Sequence, residues 1–150
     1  MNLSEHFTLT ELVKSQTADR LGINNTPSRD AVECLIVVCE KILEPVRDNY
    51  GVPITPSSGF RCPELNEAIG SSNTSQHISG EAVDFEVPGI PNMGLAHWIM
   101  NNLDYDQMLL EFYRDNDPNS GWVHCSYCGD DNRNDAKRFD GKVWLPLGED

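Results

Sequence analysis

Between residues 27 and 51 apolar side chains return every three or four positions. Val32, Leu35, Ile36, Cys39, Ile42, Leu43 and Val46 fall on one side of a helix, with Pro27 near its start, acids in its first turns, and Gly51 and Pro53 past its end. The spacing predicts one long amphipathic helix whose stripe faces the core. Shorter helices are predicted over "TLTELVKS" (8–15), where Thr8 and Glu11 have capping-box spacing, over "CPELNEAIG" (62–70), and over "MGLAHWIMNNL" (93–103). Pro63 starts the second of these and Gly70 stops it. "AVDFEV" (82–87) alternates with a period of two, and "QMLLEFY" (107–113), "WVHCSY" (122–127) and "KVWLPL" (142–147) also read as strands. "VPITPSSGFR" (52–61) reads as a broken strand or extended loop, and residues 71–81 as a polar loop. Helices first and strands later predict an α+β domain, with helices packed on one face of an antiparallel sheet.

The alternation also sorts residues by face. In "AVDFEV", Val83, Phe85 and Val87 point one way, and Asp84 and Glu86 the other. If the next two strands pair about a turn at Asp117 and Pro118, Glu111 lies opposite His124, Tyr113 opposite Trp122, and Leu109 opposite Ser126. That register places Met108, Leu110, Phe112, Val123, Cys125 and Tyr127 on the core face, and delivers Glu111 and His124 to the polar face. Gly80 lets the preceding loop bring His77 over the same face. His77, Asp84 and His124 thus form a candidate ligand set for a divalent metal, with zinc expected. Three protein ligands leave a tetrahedral zinc one position for solvent, the arrangement of catalytic rather than structural sites. Glu111 is the candidate general base.

Size, charge and cysteine usage narrow the picture further. A chain of 150 residues, 39% hydrophobic, suits a single domain over residues 1–150. With 11 Lys and Arg against 24 acids, the net charge of −13 speaks against nucleic acid as a partner, and an anionic polymer would have to be held by local contacts such as Arg61. No apolar run reaches the length of a membrane span, and the start "MNLSEHFTLTEL" lacks the pattern of a secretory signal, so a soluble product made in the cytoplasm, without membrane insertion, is expected. The five cysteines are read as reduced thiols, and Cys125 and Cys128, a lone CxxC, are not read as a second zinc site. His6 and His97 are read as structural or surface residues. Trp122 is either half of an aromatic pair with Tyr113 or part of a substrate surface, and is carried forward as a substrate-binding candidate.

The stretch "SSGFRCPELNEAIGSSNTSQHISGEAVDF" (57–85), with the later "WVH" (122–124), resembles the signature of the zinc D-Ala-D-Ala carboxypeptidases and related phage cell-wall peptidases, which share the hedgehog/DD-peptidase fold. The matching elements are "SGFR", "LN" and the S-Q-H-x-x-G-x-A-x-D run. The resemblance implies that His77, Asp84 and His124 are zinc ligands, that Arg61 holds the substrate and the developing oxyanion, and that Ser75 and Gln76 line the cleft. Several members carry the acidic base three positions before the last histidine, where this chain has Gly121; Glu111 is therefore assigned from the hairpin register and from members with an acid on the preceding strand. The implied function is hydrolysis of an amide in peptidoglycan stem peptides by a monomer. The enzyme so implied is a D-Ala-D-Ala carboxypeptidase or an L-alanyl-D-glutamate endopeptidase of the endolysin type, expected to be made in the host cytoplasm and to act on the wall after release, or to be carried on the virion. The alternative is a non-catalytic, zinc-containing wall-binding or virion structural module.

Overall fold

The computed structural model describes residues 1–148. Thr8 opens α1 (Leu9–Val13) with the capping box that its spacing to Glu11 foretold, the hydroxyl accepting from the Glu11 N–H and the Glu11 carboxylate accepting from the Thr8 N–H. A short helix that the pattern did not reveal, α2 (Gln16–Leu21), follows immediately, capped by Ser15. The long amphipathic helix is present and begins as α3 (Arg29–Val38) behind an N-cap at Ser28. It then passes through a π turn (Cys39–Leu43) into α4 (Glu44–Tyr50). Pro45 explains the π turn: its nitrogen carries no proton for an ordinary helical bond, and the Glu44 N–H bonds to the Cys39 carbonyl five residues back. The stripe stays on the core, with Leu35, Cys39, Ile42, Leu43 and Val46 fully buried.

α5 (Pro63–Ile69) ends on Gly70 in the left-handed conformation, as its sequence indicated. Then come β1 (Ala82–Phe85), α6 (Asn92–Asn102), β2 (Gln107–Glu111), β3 (Trp122–Ser126), β4 (Asp135–Phe139) and β5 (Trp144–Pro146). The sheet runs in the order β1-β3-β2-β4-β5 and is antiparallel except where β2 and β4 run parallel. The α+β class holds, and α3 and α6 cover one face of the sheet. Between them, Phe85, Met108, Leu110, Leu95 and Ile99 are fully buried, each contributing about 1.5–3 kcal/mol through removal from water. The opposite face is the polar one.

The hairpin differs from the sequence reading in register. Leu109, not Glu111, lies opposite His124, and Glu111 lies opposite Trp122, so the expected pairs Glu111–His124, Tyr113–Trp122 and Leu109–Ser126 do not form. β2 stops at Glu111 because Phe112 takes a left-handed backbone (φ 57°) and turns the chain early. Gly121 (φ 68°) closes the other side, and a Cβ there would stand 2.0 Å from the Glu111 carbonyl oxygen. The slip is by two residues, which preserves the alternation of faces, so Glu111 and His124 remain on the polar face as diagonal neighbours. Phe112 does change sides: expected in the core, it is 43% exposed.

Candidate metal centre and cleft

Three segments close on one point of the polar face. β1 presents Asp84, and β3 presents His124 directly opposite it. The 71–81 loop presents His77, turning on Gly80 (φ 77°), where a Cβ would meet the Ala31 carbonyl oxygen at 2.5 Å. The "SSGFR" segment, no strand in itself, bridges to β1: the Asp84 N–H bonds the Ser58 carbonyl, and the Ser57 N–H bonds the Asp84 carbonyl. It also locks the histidine loop, because the Arg61 N–H bonds the His77 carbonyl and His77 Nδ1 lies 2.6 Å from the Gly59 carbonyl oxygen. Gly59 can come this close only without a side chain, since a Cβ would stand 2.4 Å from the Leu12 carbonyl oxygen. Ser75 adds its hydroxyl as acceptor for the His77 N–H.

The carbonyl contact decides the chemistry of His77. With Nδ1 donating to Gly59, Nε2 carries a lone pair. That nitrogen is buried without a hydrogen bond, 3.3 Å from Asp84 Oδ1. Burial pushes the His77 pKa down, against the pull of Asp84, so the ring is neutral at neutral pH. A lone pair facing a carboxylate oxygen at that distance calls for a cation between them. His124 Nδ1 faces the same oxygen at 2.9 Å, and the ligand atoms of His77, Asp84 and His124 all lie within 4.8 Å of one another. Burial alone would raise the Asp84 pKa, but its contacts with the two histidine rings, His124 first, hold it below the usual carboxylate range. Two imidazoles and an ionised carboxylate fit a zinc ion, and no other group among the described residues assembles a comparable set. Cys125 lies in the core and Cys128 beside Gln76, both as free thiols, as are the other three.

The centre opens into a cleft of about 870 Å³ that also contains Arg61, Ser75, Gln76, Glu111 and Trp122, so every candidate named from the sequence faces it. Burial raises the Glu111 pKa, the Asp84 charge raises it further, and His124, Trp122 and Arg61 counter in part. The Trp122 indole nitrogen is buried without a well-formed hydrogen bond, close enough to Glu111 to favour its ionised form. Arg61 has a buried Nε with no partner and is flanked by the charges of Asp84 and Glu111. It also borders a second hollow of about 450 Å³ lined by Lys14, Ser57 and Ser58. His6 is structural, with Nδ1 2.6 Å from Glu44, and His97 is buried on α6.

Sequence reasoning missed four residues of this cleft region. Asp106 accepts from Arg133 Nε and Nη2 (both 2.9 Å), from the Arg133 backbone N–H, and from the Gln76 side-chain amide (2.9 Å), tying the histidine loop to the segment before β4. Arg133 itself lines the cleft, as do Phe112 and Trp144. In "DYDQMLL" nothing marks Asp106 as other than a solvated acid before a strand. Trp144 could be placed only by knowing β4, and "DAKRF" has too little apolar alternation to read as a strand.

Fold and site together define a metal-dependent hydrolase: a carboxylate poised beside a His-Asp-His cluster, an arginine in the same cleft, and a sheet that holds them rigidly. The chain belongs to the Peptidase M15 family, whose sequence pattern matches residues 5–126. It is therefore a metallopeptidase, and zinc is the cofactor on which this family depends. The match spans all three ligand candidates, Arg61 and Glu111. No curated protein matches the chain in sequence.

Proposed function

We propose that this protein cleaves an amide bond in peptidoglycan stem peptides, either D-Ala-D-Ala or L-alanyl-D-glutamate, with His77, Asp84 and His124 holding zinc. The observation that carries the reading is Glu111, a carboxylate kept from easy ionisation by burial and set in the cleft of the metal centre. When bound, zinc supplies Lewis acidity for the scissile carbonyl and renders a water reactive at neutral pH. Glu111 takes the proton from the attacking water and delivers it to the leaving amine as the carbonyl carbon gains its C–O bond and loses its C–N bond. Arg61, which lines the cleft, turns its guanidinium to the oxyanion or to a substrate carboxylate. Ser75 and Gln76 fix the histidine loop and form one wall of the cleft, with Trp122 on the opposite side of Glu111 from the sheet edge.

The same proposal places the enzyme in wall lysis by a phage, made in the host cytoplasm and reaching its substrate after release; the resemblance of residues 57–85 to phage cell-wall peptidases supports it. The test is digestion of purified peptidoglycan with zinc-loaded protein, followed by mass analysis of the new termini. A new N-terminal D-glutamate or a released D-alanine identifies the bond. Binding to wall fragments with no amine released would favour the non-catalytic module instead.

A further inference from the structure

The sheet register lines up four side chains in one lateral row across the polar face: Trp122 on β3 opposite Glu111 on β2, Glu111 beside Phe139 on β4, and Phe139 opposite Trp144 on β5. Phe112, displaced from the core by its left-handed backbone, packs its ring against those of Trp122 and Phe139. The rings form a continuous run. Phe112 stacks on Trp122 (centroids 5.2 Å apart), Phe139 meets the edge of Phe112 (5.7 Å), and Trp144 stacks on Phe139 (4.3 Å). Phe112 and Trp144 keep 43% and 48% of their surface exposed, and with Trp122 they line the cleft of the metal centre. An apolar strip of this kind, reached through a strained non-glycine backbone and joined to a reactive centre, marks a ligand surface.

We propose that this aromatic row is a sugar subsite that stacks against the uncharged amino-sugar rings to which the stem peptide is attached. The inference rests on the peptidoglycan reading above and extends it from the peptide to the glycan. Three properties select the occupant. From Glu111 the row runs outward to Trp144 over two inter-strand spacings, about 10 Å, room for two pyranose rings next to the peptide being cut. Pyranose rings present a face of C–H bonds, which the electron-rich face of an aromatic ring attracts. At a net charge of −13 the protein gains nothing from the long-range field of an anionic polymer, so contact with its neutral part is the available source of affinity. The same charge opposes a second copy of the chain as the occupant.

The experiment uses the full zinc-loaded chain and two measurements. The first is titration with an N-acetylglucosamine trimer, followed by tryptophan fluorescence and calorimetry. The second is the ratio of kcat/KM for a stem peptide carrying its disaccharide to that for the same peptide without sugar. The wild type should bind the trimer and prefer the sugar-bearing substrate by about tenfold or more. Trp144→Ala should weaken trimer binding by about tenfold and bring the ratio close to one, while Trp144→Phe, which keeps a ring, should retain most of both. The inference is overturned if the wild type does not bind the trimer, if Trp144→Ala binds it equally well, or if the two substrates are cut with equal efficiency. Trimer binding that depends on Trp144 without any amine release would sink the peptidase reading and leave the sugar subsite standing. Amine release with no dependence on sugar would do the reverse.

Discussion

Glu111 and Asp106 show how two acids of similar sequence context come to opposite ends of the carboxylate range. Glu111 is pushed up by burial and by the Asp84 charge, with too few compensating donors. Asp106 is pulled down by the hydrogen bonds of Arg133 first, against the effect of burial, and by that of Gln76. In the mechanism we propose, replacing Glu111 by Gln keeps the shape but removes the proton acceptor, so kcat should fall on the order of 10²–10⁴-fold while zinc content and melting temperature hold; metal analysis beside the assay checks it. For Asp106 the sign follows from a folded pKa below the unfolded one. Its contribution is present above the ordinary aspartate range near pH 4 and is lost as pH falls through the folded value. Asp106→Asn should cost about 1–2 kcal/mol at pH 7, a modest figure because the Arg133 side chain is 58% exposed and screened. Urea unfolding at pH 7 and again at the lowest pH the fold tolerates should show the gap between variant and wild type narrowing.

At the scale of elements, the site depends on close approaches that only glycine allows. Gly59 and Gly80 seat the "SSGFR" segment and the histidine loop against carbonyl oxygens of the helical layer, and Gly121 seats β3's entry against the end of β2. Gly121→Ala adds a Cβ 2.0 Å from the Glu111 carbonyl oxygen and forces an alanine to a φ of 68°. A loss of about 2–4 kcal/mol in urea unfolding is expected, with a larger proportional loss of activity, because the atoms that must move belong to the backbone of Glu111. An activity loss no greater than the loss of folded protein would mean that the hairpin closure does not position the base. The register shows what alternation can and cannot specify. A period of two assigns Glu111 and His124 to one face, yet leaves a slip of two residues undetected, because both registers bury the same aliphatic residues. The backbone of Phe112 breaks that tie.

For the whole molecule, the metal centre joins parts distant in sequence, so metal and fold should be coupled. Without a cation, His77 Nε2 and Asp84 Oδ1 face each other as acceptors in a buried place. Free zinc at 1,000 times its dissociation constant should add about 4 kcal/mol of stability. Chelation should lower the melting temperature, zinc should restore it, and His77→Ala should remove the response. An unchanged melting curve in the natural protein would show that no ion occupies the centre.

The sequence by itself determined the class of fold, the amphipathic helix, the capped helix starts, the two faces of β1 and the set His77, Asp84, His124 and Glu111, because these follow from local periodicity and from a signature compressed into neighbouring residues. The tertiary structure alone decided the hairpin register, the parallel pairing of β4 with β2, the Asp106–Arg133–Gln76 clasp and the aromatic row from Trp122 to Trp144. Each of those depends on which backbone atoms meet across long separations in the chain. A left-handed turn at one phenylalanine and a strand without apolar alternation leave no periodic trace from which such meetings could be read.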